Sequence, residues 1–395
     1  MVYTSNSVKL ISLILLLLGT PQVMACNNKM NQPLIWRYEG LNEAKHLEKG
    51  RDILIEIERV ARVYASKPLV TVLDKKKSFA EDKRYYCTIS PYWWPDSSSG
   101  RVEYVRRDGD INPEYNEYDS RALDELANRC KFISSVFYIT KDEQLYDVYV
   151  DLLRTWFIND ETRMYPNFEY AQVLPGHNGN RGRCYGIIEA YSLNTILESI
   201  RLVNLTKKID KKTMTSLKQW FSAFADWMIK SDLGYEESQA PNNHSIAYDV
   251  TLINMLLFAK RIREARVVAD SFYENRVLKQ INQDGSQPEE IKRTQPIGYS
   301  SFNISHILDF ASISRYWGRI YFDKIKERLG LALQYNQYMI DGKVQINDKI
   351  IISSEGDKKW QIENILRYKA LYCSSPVEIP NSVNPYRSLN ALLLE

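Results

Sequence analysis

The chain has 395 residues, of which 44% are hydrophobic and 26% are charged, and its formal net charge is +3. These proportions are typical of globular proteins and exclude a disordered, collagen-like or low-complexity chain. The near-neutral balance argues against a dedicated nucleic-acid binder, although it leaves room for a local cationic cleft. The unusual count is 27 tyrosines, whose rings suit a surface that is both apolar and hydrogen-bonding.

The first 25 residues have the pattern of a secretory signal peptide. Lys9 precedes an apolar run over residues 10–18, which Gly19, Thr20 and Pro21 interrupt. The run is too short to cross a bilayer as a permanent helix. We therefore expect residues 1–25 to be removed during secretion across an inner membrane.

The residues at the end of this segment predict how the mature chain is attached to a membrane. Cys26 follows Val23, Met24 and Ala25, and this order resembles a bacterial lipobox. The preferred interpretation is a lipoprotein whose first mature residue, Cys26, is acylated and anchors the protein to the outer membrane. Ordinary cleavage after Ala25, which leaves a periplasmic protein, is the alternative. Contact with a membrane is expected only through such an anchor.

From residue 40 onward, apolar residues recur at helical spacing. Leu123, Leu126, Cys130 and Phe137 form one such stripe, with intervals that fit one face of a helix. Period-two alternation is scarce, except over residues 343–353, which predict a small β-hairpin. The predicted helices cover residues 41–65, 120–140, 143–157, 186–204, 213–231, 245–262, 264–280, 303–318 and 320–341.

No linker or exact repeat divides residues 26–395, so we predict one all-α domain built as a helical toroid or bundle. The cysteines are scattered without a C-x-x-C pair, and no predicted helix carries paired ligands at metal spacing, so neither a metal nor a cofactor is expected. The sequence leaves disulfide pairing and oligomeric state open. The cysteines that follow Cys26 are Cys87, Cys130, Cys184 and Cys373.

Two long loops rich in aromatic residues, 85–96 and 162–182, interrupt the helices. Aromatic faces stack on the apolar C–H groups of sugar rings, although the same rings would also serve to staple helices together. Trp156 lies on a helical stripe and is predicted to be core, and Arg163 is predicted to form a structural ion pair. The candidates for substrate binding in these loops are Tyr92, Trp93, Trp94, Asn167, Tyr170, Gln172, His177 and Arg181.

Two later loops carry the residues that favour chemistry. Asn243 and His244 stand in a polar segment directly before a helical run, with Glu237 upstream in the same loop. Arg293 and Tyr299 follow an acidic loop over residues 284–290 and again precede a helix. Alternate loops of a helical toroid open on the same face, so we expect the two loops to meet at one cleft.

These segments resemble the alginate lyase family over residues 80–315. The resemblance rests on YYCTISPYWWPD, RDGDINPE, TRMYPNFEYAQ, NNHS and RTQPIGYS, and it is closer to a Bacteroidetes-type branch than to the best-known alginate lyases. It implies an (α/α) toroid and a polysaccharide lyase acting on an anionic polyuronate. It also implies catalytic roles for Asn243, His244, Arg293 and Tyr299.

The chemistry of β-elimination agrees with this residue set. Removal of H5 next to a uronate carboxylate requires that the carboxylate be neutralised, which an Asn amide, a His and an Arg can do. In β-1,4-linked D-mannuronate or D-glucuronate, H5 and O4 lie on the same side, so one tyrosine can take H5 and then protonate O4.

The roles follow from this requirement. Tyr299 is the predicted base and acid, and Asn243 and His244 neutralise the carboxylate. Arg293 is expected to lower the pKa of Tyr299 from about 10 and to help bind substrate. Glu237 is added to the predicted catalytic residues because it lies in the same loop as His244. It would either orient His244 or, if protonated, help to neutralise the substrate carboxylate. The alternative is that it belongs to a solvated acidic loop.

Several alternatives remain at this point. A glycoside hydrolase would need two opposed carboxylates, and a non-catalytic glycan-binding lipoprotein would also use aromatic loops. Poly-mannuronate is the first choice of substrate and glucuronan the next, and mixed activity on guluronate would follow if His244 served as a second base. His306 is predicted to be a core residue or to lie behind the site. The carboxylates considered for a hydrolase are Glu236, Glu237, Asp284, Glu289 and Glu290.

Overall fold

The computed structural model describes residues 31–96, 103–346, 349–350, 353–373 and 384–394. The predicted signal peptide and Cys26 lie outside this range. None of the helices in the described part of the chain combines the length and apolarity needed to span a bilayer.

Helices dominate the described chain, which confirms the predicted all-α class. The stripes predicted over residues 120–140 and 143–157 form α3 and α4 at nearly those bounds, whereas the segment at 264–280 is divided by a π-helical stretch at Tyr273–Val277. The α-helices are α1 Glu39–Ala44, α2 Glu48–Ser66, α3 Ser120–Thr140, α4 Glu143–Phe157, α5 Ser192–Thr206, α6 Lys211–Lys230, α7 Asp232–Ser238, α8 Asn243–Phe258, α9 Ile262–Phe272, α10 Leu278–Gln280, α11 Pro288–Ile291, α12 Pro296–Ser314, α13 Ile320–Ile340, α14 Glu355–Tyr372 and α15 Pro385–Leu394.

The long helices form two layers, as in an (α/α) toroid. Helices α3, α5, α8, α12 and α14 contact one another in that order, and α2, α4, α6, α9 and α13 pack against them from outside. In α8, 15 of the 16 residues are buried, and in α12 14 of the 19. A helix that is buried all round belongs to the interior of a large protein, so these two helices form the inner wall.

Short strands hold the two aromatic loops beside the inner helices. β1 (Cys87–Ile89) pairs in parallel with β4 (Tyr170–Val173), which joins the first loop to the second. β2 (Trp93–Asp96) and β3 (Glu103–Arg106) form an antiparallel pair. The hairpin predicted near the C-terminus is present as β5 (Gln345–Ile346) and β6 (Lys349–Ile350). Short 3₁₀ helices occupy Val72–Asp74, Pro113–Glu117, Asn178–Asn180, Cys184–Tyr191 and Arg315–Trp317.

Three predictions about single residues concern packing. Trp156 is fully buried in the core between helices, as predicted. Cys130 is likewise buried within α3. Arg163 pairs with Asp160 at 2.9 Å on the surface, so its contact is structural.

The segment before α1 is fixed to the inner layer by one carboxylate. Glu198 of α5 is fully buried, and its Oε2 accepts the backbone N–H groups of Leu34, Ile35 and Trp36 at 2.7, 2.7 and 3.1 Å. Its other oxygen accepts from Arg201 at 2.5 Å. A buried carboxylate is tolerated only when it is paired and hydrogen-bonded in this way.

Candidate active site

A cavity of about 740 Å³ opens where α8 and α12 begin, between these helix ends and the two aromatic loops. The two predicted catalytic loops therefore meet at one cleft. Eight of the residues predicted from the sequence line it: Tyr92, Trp93, Gln172, Glu237, Asn243, His244, Arg293 and Tyr299.

Three loop residues predicted to bind substrate lie outside this cavity. The indole N–H of Trp94 donates to the carbonyl of Asp110 at 3.0 Å. The side chain of Asn167 accepts from the backbone of its own turn, at Glu169. The ring of Tyr170 packs edge-on against another tyrosine of the first loop. These side chains shape the loops that carry the cavity wall.

His177 and Arg181 also lie away from the cavity. His177 is exposed in the turn before a 3₁₀ helix. The guanidinium of Arg181 is held by Glu169 at 2.5 Å and by both oxygens of Asp232 at 2.6 Å. With its donors committed to two carboxylates, Arg181 links the second aromatic loop to α7.

His244 is the second residue of α8 and is oriented by Glu237. Its Nδ1 lies 2.6 Å from Oε1 of Glu237, which is fully buried in α7. Because a carboxylate can only accept, Nδ1 carries the proton, and Nε2 is the nitrogen left for a ligand. The ring of Tyr185 packs edge-on against the imidazole, with centroids 5.4 Å apart. Glu237 therefore has the orienting position predicted as one of its two roles.

Asn243 is held by Glu290, a carboxylate that the sequence suggested only as a candidate for a hydrolase site. Its backbone N–H and its Nδ2 donate to the two oxygens of Glu290 at 2.7 and 2.8 Å. Burial raises the pKa of Glu290, and the two bonds from Asn243 oppose that rise. Both oxygens act as acceptors, as in an ionised carboxylate, so Glu290 fixes the direction in which the Asn243 amide points.

Tyr299 lies in the first turn of α12 with a cation against its face. The guanidinium carbon of Arg293 is 3.8 Å from the ring centroid, and the phenol donates to the hydroxyl of Tyr92 at 3.3 Å. Arg293 does act to lower the pKa of Tyr299, as expected. Burial and the contact with Tyr92 outweigh it, so the pKa is raised above its usual value of about 10. The expected net lowering is therefore wrong for the unliganded protein.

The position of Arg293 is set by Asp108, in the turn that follows β3. Its Nε and Nη2 donate to the two oxygens of Asp108 at 3.1 and 2.8 Å, and Thr294 donates to the same carboxylate at 3.0 Å. Burial would raise the pKa of Asp108, but the bonds and charge of Arg293 lower it to about 2. Gly109 has a φ of +79°, and a Cβ there would lie 3.0 Å from Thr294. The glycine thus permits this close approach.

The carboxyl group of Glu189 also lies in the cavity wall, and among the described residues it is held by hydroxyl groups rather than by an ion pair. Tyr86 and Thr88 donate to one of its oxygens at 2.9 Å, and Tyr115 donates to the other at 3.0 Å. Burial raises the pKa of Glu189 to about 7, although these bonds and one from Gln172 hold it down. Gln172 itself has a left-handed φ of +50°, which is uncommon outside glycine. Glu189 therefore fixes the wall that carries Gln172.

The carboxylates considered for a hydrolase are distributed differently. Glu236, Glu237 and Glu289 line the cavity, whereas Glu290 is buried behind Asn243. Asp284 accepts from the backbone and hydroxyl of Ser286 at 2.9 and 2.7 Å within its own turn. Across the described residues, no three His, Cys, Asp or Glu side chains are grouped so as to hold a metal ion.

His306 lies behind the site, as predicted. Its ring packs at 4.1 Å from that of Tyr191 and at 4.1 Å from that of Phe302, which lines the cavity. Burial lowers the pKa of His306 to about 3, so the imidazole is neutral. Neither nitrogen has a partner within the part of the chain described here.

The sequence reasoning missed four residues that shape the site, because their roles depend on contacts between distant loops. Asp108 lies in the RDGDINPE motif, but no role was predicted for it. Arg183 lies two residues after Arg181, the arginine that was predicted to bind substrate. Tyr185 and Glu189 follow in the same segment and carried no local signal.

Comparisons with known proteins agree with this fold. The profile of the alginate lyase family matches residues 71–341, which is more than half of the chain. This match defines the chain as a polysaccharide lyase. The chain belongs to the alginate lyase family. No match was found among curated proteins.

Two solved structures are similar over most of the chain. A crystal structure of an alginate lyase from Bacteroides ovatus has 29% sequence identity and a TM-score of 0.79, covering 92% of this chain and 96% of that one. Alginate lyase A1-III from Sphingomonas species A1 has 16% identity and a TM-score of 0.50, covering 86% and 94%. The second likeness concerns the fold alone. The predicted resemblance to a Bacteroidetes-type branch is confirmed.

Proposed function

We propose that this protein cleaves a β-1,4-linked polyuronate, with poly-mannuronate as the preferred substrate, by syn β-elimination. The observation that carries the proposal is the meeting of Asn243, His244, Arg293 and Tyr299 around one cavity. Family membership supports an alginate-type polyuronate as the substrate class. The preference for mannuronate over glucuronate rests on the family resemblance, since one tyrosine can serve the syn elimination of either sugar.

The carboxylate of the reacting sugar is neutralised by Asn243 and His244. Glu290 holds the Asn243 amide at 2.8 Å, and Glu237 holds His244 through Nδ1 at 2.6 Å. When both ring nitrogens of His244 carry a proton, Nε2–H and the remaining amide N–H of Asn243 donate to the carboxylate. Because both donors are fixed before substrate arrives, they stabilise the developing negative charge without reorganisation.

Tyr299 performs both proton transfers. Its phenolate takes H5, the electron pair left on C5 forms the C4–C5 double bond, and the C4–O4 bond breaks. The phenol then gives its proton to O4, which regenerates the phenolate. The raised pKa of Tyr299 means that only a small fraction of the unliganded protein is ready for this step. Arg293, against the ring at 3.8 Å, stabilises that fraction.

The test is Tyr299→Phe, assayed on poly-mannuronate, glucuronan and poly-guluronate. The expected result is that wild type forms an unsaturated product that absorbs in the ultraviolet, and that the variant loses turnover by about 10³-fold or more while substrate binding, measured by calorimetry, is retained. The matched control is Tyr235→Phe, since Tyr235 is 68% exposed on α7.

Two outcomes contradict the proposal. New reducing ends without new absorbance would identify a hydrolase. Full activity of Tyr299→Phe would remove Tyr299 from the mechanism, whatever the substrate.

A further inference from the structure

Arg183 is a cation in the cavity wall that has no role in the mechanism above. It lines the cavity, and its guanidinium carbon lies 4.7 Å from the ring centroid of Tyr185 and 5.7 Å from that of Trp93. Its Nη1 donates to the hydroxyl of Ser90 at 3.3 Å. No carboxylate among the described residues lies within ion-pairing distance of it. The charge of Glu236 reaches it, but the two form no ion pair.

This arrangement differs from that of the other arginines near the site. Arg181 and Arg293 each donate to a carboxylate through two nitrogens. Burial lowers the pKa of Arg183, and the opposing influence of Tyr185 and Glu236 does not outweigh the cost of removing the charge from water. An arginine presents a planar set of donors that matches a carboxylate in two places. Among the described residues, Arg183 is therefore a cation of the cavity wall without a carboxylate partner.

The backbone around Arg183 is fixed before any ligand binds. Its N–H donates to the carbonyl of Ala171 in β4 at 2.9 Å. Gly182 and Gly186 approach Ala171 so closely that a Cβ on either would lie within 2.6 Å of it. The side chain consequently projects from a rigid segment, which is the condition for a precise binding contact.

We propose that Arg183 binds the carboxylate of the uronate next to the sugar that undergoes elimination. This inference rests on the proposed function. Asn243 and His244 are already placed for the reacting carboxylate, and His244 and Arg183 contact the same ring of Tyr185. Trp93 and Tyr185 offer aromatic faces beside the guanidinium for the sugar ring itself. The substrate class is then a polymer of consecutive uronates rather than one in which uronates alternate with neutral sugars.

The test compares Arg183→Gln and Arg183→Lys with Arg163→Gln, a control that removes a surface arginine. On poly-mannuronate, Arg183→Gln should raise KM by about 10- to 100-fold with little change in kcat, since the contact is the same in the ground and transition states. The KM of Arg183→Lys should lie between those of wild type and Arg183→Gln, because lysine keeps the charge but lacks the planar pair of donors. Thermal unfolding checks that each variant is folded.

A second substrate removes the partner instead of the arginine. This substrate is a mannuronate tetrasaccharide in which only the cleaved sugar keeps its carboxylate. On it, the KM of wild type should be about 10- to 100-fold higher than on intact tetra-mannuronate. The KM of Arg183→Gln should be the same on both tetrasaccharides. The inference is overturned if KM is unchanged in Arg183→Gln or if kcat falls instead. It is also overturned if the KM increase from the substitution and the KM increase from removing the carboxylates multiply when the two are combined.

Binding in the Tyr299→Phe background separates this inference from the proposed function. Calorimetry with intact tetra-mannuronate should show about 10- to 100-fold weaker binding when Arg183→Gln is added. If wild type forms no unsaturated product but this binding loss is found, the reaction is wrong and the uronate contact stands. If product forms and binding is unchanged, the contact is wrong and the reaction stands.

Discussion

Glu290→Gln tests whether the direction of the Asn243 amide matters for catalysis. The carboxylate accepts two hydrogen bonds from Asn243, at 2.7 and 2.8 Å, in a buried position. A glutamine keeps one oxygen but presents an NH₂ group to the second donor, so one bond is lost and two donors face each other. A hydrogen bond to a charged group contributes about 1.5–3 kcal/mol. We therefore expect kcat to fall by about 10- to 100-fold.

The assay is the initial rate of ultraviolet absorbance from poly-mannuronate over a range of concentrations, together with thermal unfolding. KM should change little, because the misdirected amide matters most when negative charge develops. The free energy of unfolding should fall by about 1–3 kcal/mol, the cost of an unsatisfied buried donor. Glu56→Gln is the control, since that carboxylate forms an exposed pair with Arg59. Unchanged kcat in a destabilised Glu290→Gln would refute the positioning role and leave a structural one.

The remaining predictions concern pH and the N-terminal segment. Because the pKa of Tyr299 is raised and the phenolate is the active form, kcat/KM should rise about tenfold per pH unit on the acid side of its profile. It should level off or fall at higher pH, where the proton that Nε2 of His244 donates is lost; a rise that continues unbroken to about pH 9 would show that this proton is not needed. Glu198→Ala leaves three backbone N–H groups and Arg201 without their acceptor, so the free energy of unfolding should fall by about 3–5 kcal/mol. An unfolding midpoint equal to that of wild type in chemical denaturant would contradict this reading of Glu198.

The helical layers could be predicted because their signal is local. The stripe from Leu123 to Phe137 lies on one helix, and its period alone gives Ser120–Thr140. The predicted start of α12 at residue 303 was late, since the helix begins at Pro296. Ser300, Ser301 and Asn303 interrupt the apolar pattern of its first turns. Their burial depends on neighbouring helices that the period does not describe.

The meeting of the predicted catalytic residues at one cleft was predictable for a different reason. Asn243, His244, Arg293 and Tyr299 fall in two short motifs, and a toroid brings such loops to one face. The arginine of the second aromatic loop was a harder choice, because Arg181 and Arg183 are equivalent by sequence. Arg181 meets a carboxylate 51 residues away, and only the folded chain shows that this contact removes it from the cavity.

The charges of the cavity explain how a chain of net charge +3 can act on a polyanion. Arg293 is paired with Asp108, and His244 lies against Glu237, so each of these two groups is held by a carboxylate of the protein itself. Such pairs add little general attraction for a polyanion, since each partner cancels the other's distant field. At close range they still present fixed N–H donors to one carboxylate, and fixed donors lower the energy of a transition state more than that of a ground state. Selection of the polymer then falls to the unpaired Arg183, whereas the paired groups serve the chemical step.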